Sequence, residues 1–113
     1  MNVLAISEKL GFDYDEALEY WSGDVAALKE KLSHLREDAD FGALAAAVEK
    51  EDAEAIQKAA HKVRKAAEKV CLKRLEKAAE TVEKAKDHRE KSAFEVLRAE
   101  WEETVSVIFP EAE

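Results

Sequence analysis

Between Ala43 and Phe109 the chain contains neither glycine nor proline. Its three glycines, Gly11, Gly23 and Gly42, precede that stretch, and its only proline, Pro110, follows it. Gly and Pro are the strongest punctuators of regular structure, so everything between must be long elements joined by turns of ordinary residues. The stretch is dense in Ala, Glu, Lys and Leu and thin in the β-branched and aromatic residues that a sheet is built from. It predicts an all-α protein. At 113 residues the chain is expected to form one domain, residues 1–113, large enough to bury a core without disulfides or metals.

Caps and apolar spacing divide the chain into helices. A short opening segment, Val3 to Leu10, ends at Gly11. Asp13 is placed to cap a helix carrying Tyr14, Leu18 and Trp21, which stops at Ser22-Gly23. Asp24 caps the next, whose Val25, Leu28, Leu32 and Leu35 form one apolar stripe that runs to the polar segment Glu37 to Asp40. Asp40 is expected to cap a short helix from Phe41 to about Lys50, and Asp52 a long one with Ile56, Ala59, Val63, Ala66 and Val70 facing the core. Leu72, Leu75, Ala79 and Val82 mark another stripe, Lys84 to Lys91 a polar turn, and Phe94, Leu97, Trp101, Val105 and Ile108 the last stripe. Long amphipathic helices with short connections predict an antiparallel bundle with short helices at its N-terminal end.

Composition closes several classes of function. The net charge of −8 argues against general nucleic-acid binding, and the basic stretch lacks interleaved aromatics. A single cysteine, Cys71, excludes an internal disulfide and reads as a small buried residue of a reducing compartment. No apolar run approaches the ~18 residues of a membrane span, and no charged-then-apolar leader is expected at its start. A soluble, cytoplasmic protein with no cofactor is expected. His34 flanks an apolar stripe, His88 lies in the polar turn, and no spacing of histidines suits zinc. Trp21 and Trp101 lie on apolar stripes as core anchors.

His61 is the exception. At about 100° per residue it falls off the core stripe, on the face shared by Gln57, Lys58, Arg64, Lys65 and Glu68. Lys58 to Lys77 carry eight cations and two carboxylates, whereas the first fifty residues carry a net −6. An exposed imidazole that is neutral near pH 7 is a good nitrogen nucleophile. Arg64 and Lys65 are placed to neutralise the oxygens of an anionic reactant such as a phosphoryl group.

The run Ala60-His61-Lys62-Val63-Arg64-Lys65-Ala66-Ala67-Glu68-Lys69-Val70-Cys71, continued to Leu75, resembles the motif of histidine phosphotransfer (HPt) domains. His61 stands at the phospho-accepting position; Val63, Arg64, Ala66, Ala67, Val70 and Leu75 match. Phe12 to Leu18, Ser22-Gly23-Asp24 and Glu51 to Ala55 are similar to other parts of such domains, so the likeness spans roughly residues 10–108. Two family glycines are replaced: Lys65 stands one turn beyond the histidine, and Cys71 stands where the histidine helix ends. The first replacement puts a long side chain on the docking face. The second puts a non-glycine residue at an αL-permissive stop, at a cost on the order of 1 kcal/mol.

The resemblance implies a four-helix HPt-like bundle that carries phosphoryl groups in a bacterial two-component phosphorelay and is not itself an enzyme. His61 would accept the group from the aspartyl phosphate of a response-regulator receiver domain, with a hybrid sensor kinase as a further partner; the receiver brings Mg²⁺. Arg64 would support the phosphoryl group, and Gln57, Lys58, Lys65 and Glu68 would meet the partner. The chain is expected to be mostly monomeric with a minor swapped dimer. A second reading stays open: a degenerate or redesigned HPt-type bundle that serves only as an interaction or scaffold module, suggested by the two replaced glycines and the Ala/Glu/Lys density.

Overall fold

A computed structural model describes residues 8–10 and 14–109. Val3 to Ser7, Gly11, the Asp13 cap and Pro110 lie outside them. Seven helices follow in order among the described residues: α1 Tyr14–Tyr20, α2 Val25–Ser33, α3 Leu35–Ala39, α4 Phe41–Glu49, α5 Ala53–Lys69, α6 Lys73–Lys84 and α7 Glu90–Ile108. No described residue lies in a strand. The all-α expectation holds.

Two of the expected caps are made as the chemistry requires. The Asp24 carboxylate accepts a hydrogen bond from the Ala27 amide at 3.0 Å, and Asp52 accepts one from Ala55 at 3.2 Å. Asp40 behaves differently. It takes a left-handed conformation (φ 49°) between α3 and α4, and its side chain makes no cap bond to the helix it precedes. The stripe from Val25 to Leu35 is also not one helix. His34 (φ −96°, ψ 6°) ends α2 and begins α3, and its amide bonds back to Glu30 at 3.1 Å. The apolar stripe survives the break, because Leu28, Leu32 and Leu35 are all buried. The polar segment Glu37 to Asp40, read as the end of a helix, mostly belongs to α3.

With glycine scarce, ordinary residues supply the left-handed turns. Ser22, Glu51 and Cys71 have φ of 56°, 57° and 56°. Each closes its helix with the same pair of bonds. At Cys71 its own amide reaches Glu68 O at 3.1 Å and the Leu72 amide reaches Ala67 O at 3.0 Å, which satisfies two helix-end carbonyls. The chain thus reverses at Cys71 as sharply as a glycine would allow, and α5 and α6 pack side by side as a hairpin.

The core is the set of stripes read from the spacing. Ile56, Val63, Ala66 and Val70 of the α5 stripe are buried, as are Leu72, Leu75, Ala79 and Val82 on and before α6, and Phe94, Leu97 and Ile108 on α7. Ala60 and Ala67 are also fully buried, and α3 and α4 lie against α5. Trp21 and Trp101 are rim residues rather than core anchors. Trp21 is half-buried, and its indole N–H donates to Lys69 O at 2.9 Å, tying the segment after α1 to the end of α5. Trp101 stacks on Phe41, which stacks in turn on buried Phe94, with centroids 5.0 and 5.4 Å apart. Lys73 adds a 2.8 Å ion pair to Glu16 of α1. None of the described helices is long and apolar enough to cross a membrane.

Candidate functional site

The outer face of α5 carries Gln57, Lys58, His61, Arg64, Lys65 and Glu68. The first three and Lys65 are exposed; Arg64 and Glu68 are half-buried. The sequence-predicted face therefore exists as one continuous surface. Its chemistry is completed from a neighbouring helix. Glu83 of α6 places Oε1 2.9 Å from His61 Nδ1, and Arg64 Nε donates to Glu83 Oε2 at 2.6 Å. Arg64 closes the triangle, its NH2 nitrogen lying 3.0 Å from His61 Nδ1.

Every bond in this triangle is at Nδ1 or at the carboxylate. His61 Nε2 has no hydrogen-bond partner among the described residues, and the side chain is 50% exposed. The ring is thus held by one nitrogen and offers the other. Glu83 is only 24% exposed, and burial alone would push its carboxyl pKa up; the hydrogen bonds and charges of Arg64 and His61 outweigh this and hold it below the ordinary carboxylate range. Hydrogen bonding to Glu83 in turn holds the Arg64 guanidinium above its ordinary value, so this group stays charged.

Lys65, in the place of a motif glycine, directs its ammonium toward Glu68, 3.6 Å away and farther along the helix from His61. Arg64 also approaches Glu68, at 3.7 Å. Lys58 pairs with Glu54 at 3.3 Å. The local excess of cations in the sequence is largely compensated in space. Among the described residues, six of the eight between Lys58 and Lys77 have a carboxylate within ion-pair distance, several of them contributed from elsewhere in the fold: Asp40, Glu16, Glu83, Glu100 and Glu103. The surface around His61 is a lattice of ion pairs, not an open basic patch.

Beside the imidazole runs a groove of about 670 Å³ lined by Gln57, Arg64, Glu80, Glu83, Lys84 and Lys86. Lys84 is bound to Glu80 at 2.6 Å, which lowers the Glu80 pKa. Glu83 and this α6 wall are what sequence reasoning missed. The signal was present: His61 and Glu83 lie eleven residues before and eleven after Leu72. A tight antiparallel reversal there brings equally distant residues level with each other.

The other candidates stay apart from this site. His34 is exposed at the α2–α3 break, 4.0 Å from Glu37, and His88 is exposed in the turn after α6 with a φ of 70°. Cys71 is buried, as expected of a small apolar packing residue. No group of three or more His, Cys, Asp or Glu among the described residues is arranged to hold a metal ion. No family model, no curated protein and no solved structure matches the chain.

Proposed function

We propose that this chain is a phosphoryl carrier of the HPt type, with His61 Nε2 as the acceptor and a response-regulator receiver domain as donor and recipient. One observation carries the reading: a half-exposed, mid-helix imidazole whose Nδ1 is engaged by a carboxylate while Nε2 has no hydrogen-bond partner among the described residues. When Nδ1–H donates to Glu83, the lone pair of a neutral ring resides on Nε2, the nitrogen that the triangle leaves unbonded. In the transfer a new Nε2–P bond forms as the P–O bond of the aspartyl phosphate breaks, and the electron pair leaves with the donor carboxylate. The Nδ1 proton stays in place. The ring becomes cationic, and Glu83 is already positioned to neutralise it. Arg64, one turn along, is within reach of phosphoryl oxygens.

The long helices α5, α6 and α7, with α3 and α4 against α5, support the HPt-like bundle that this role requires. A cytoplasmic, bacterial phosphorelay with a hybrid sensor kinase upstream belongs to the same reading. Incubation with a phosphorylated receiver tests it. Acid-labile, alkali-stable label is expected on the wild type, on His34→Gln and on His88→Gln, and none on His61→Gln. An unlabelled wild type, or label that survives in His61→Gln, leaves the scaffold role as the better account, in which the bundle binds partners without chemistry.

A further inference from the structure

Two groups meet at one nitrogen of His61 that can satisfy only one of them. His61 Nδ1 lies 2.9 Å from a Glu83 oxygen, which can only accept, and 3.0 Å from an Arg64 nitrogen, which can only donate. If Nδ1 carries the proton it bonds Glu83 and its N–H faces the Arg64 N–H. If Nδ1 is bare it accepts from Arg64, its lone pair faces the carboxylate, and the ring proton moves to Nε2. Only the first state has a nucleophilic Nε2. Arg64 and Glu83 therefore pull the same ring toward opposite tautomers.

We propose that Arg64 is a tautomer gate, opened by the anionic reactant itself; the proposal rests on His61 being a phosphoryl acceptor. At rest the guanidinium divides its donors between Glu83 Oε2 and His61 Nδ1, with a longer approach to Glu68. An incoming phosphoryl group competes for those donors. As Arg64 turns to it, Nδ1 loses its donor, and Glu83 loses its strongest partner at the same moment. Solvent water takes the proton from Nε2 and delivers one to Nδ1, whose N–H is then the remaining donor to that carboxylate, so the ring is drawn to the nucleophilic tautomer. Arg64 is then a positioning residue for His61 as well as a support for the phosphoryl group. Lys65 does not share the gating, because its ammonium is turned toward Glu68.

The test reads the ring directly. Nitrogen-15 NMR of histidine-labelled protein, above the ordinary imidazole titration range, reports which nitrogen carries the proton. Arg64→Met should raise the ratio of Nδ1–H to Nε2–H at His61 by roughly tenfold, the scale of one charge-assisted hydrogen bond, and Glu83→Gln should lower it. His34 and His88, remote from the triangle, should not change. Arg64→Ala serves as a second variant should the Met side chain disturb the helix. A His61 ratio that is the same in wild type and in a folded Arg64 variant overturns the gate. The two readings fail separately: a responsive tautomer in a protein that never labels sinks the carrier, and the gate with it, and leaves only Arg64's hold on the ring, whereas a labelled protein with an unresponsive tautomer sinks the gate and keeps the carrier.

Discussion

The two reversals that flank α6 are made of opposite materials. At the first, Val70, Cys71 and Leu72 are 1%, 4% and 2% exposed, and one left-handed residue turns the chain. At the second, Lys86, Asp87, His88 and Arg89 are all exposed, and two consecutive left-handed residues, Asp87 and His88 at φ 57° and 70°, make a looser connection. A buried reversal fixes register, because sliding the helices would pull Val70 and Leu72 into water. That register sets Glu83 opposite His61 and Arg64. The geometry of the triangle is therefore inherited from an apolar turn that makes none of its three contacts. The exposed turn has no such duty.

Truncation should show the contrast most strongly. Leu72→Ala is expected to cost about 2–5 kcal/mol, the range for deleting a buried leucine, and Lys86→Ala less than about 0.5 kcal/mol. Urea unfolding midpoints measure both. Equal effects would mean that the first reversal is not a fixed point of the fold. Glycine substitution then separates strain from packing. His88→Gly removes a left-handed strain on an exposed residue and should stabilise by about 1 kcal/mol. Cys71→Gly relieves the same strain but removes a buried side chain, so the two terms should offset to within about 0.5 kcal/mol. A clear gain at Cys71 would show that its thiol contributes little to the packing.

These turns also mark where sequence reading succeeds and where it stops. Asp24 and Asp52 were legible as caps because a carboxylate before an apolar-periodic run has one obvious use, and the stripes were legible because periodicity survives any detail of the backbone. The break at His34 was not, since Leu35 continues the stripe whether or not the hydrogen bonds do. Asp40 had the right residue type for a cap but a left-handed backbone that turns its side chain to other use. At the site, His61 and Arg64 stood out because they share a helix face. Glu83 could not be seen that way. It belongs to another helix, and its place depends on a reversal at Cys71 whose sharpness the missing glycine obscured.

The association state is a smaller test of the same reversal. If Cys71 left its left-handed conformation, α5 and α6 could run on as one rod whose stripes pair with a second copy. Closing a short loop within one chain is far easier than recruiting another, so light scattering over a hundredfold concentration range should find monomer with a minor, slowly formed dimer. Cys71→Gly should suppress it. A parent protein that is monomeric at every concentration would show that the buried reversal does not open.

The smallest expected effect concerns acid. Glu83 is held below its ordinary value of 4.5, despite the opposing push of burial, by its bonds to Arg64 and His61. Its folded form therefore binds a proton less readily than the unfolded chain does. The stability this supplies is fully present above the unfolded value and is lost as pH falls through the lower folded value. Because the pair is partly open to solvent, the contribution should be under about 1 kcal/mol. Urea midpoints taken from pH 6 down to pH 3 would register it as a steeper acid limb in the wild type than in Glu83→Gln, with Glu80→Gln as a second case because Glu80 is also shifted downward, by Lys84. Identical limbs in wild type and Glu83→Gln would mean that the carboxylate spends little time on Arg64 and His61 in solution, and the register set by the buried reversal would then bring the helices level without locking the site.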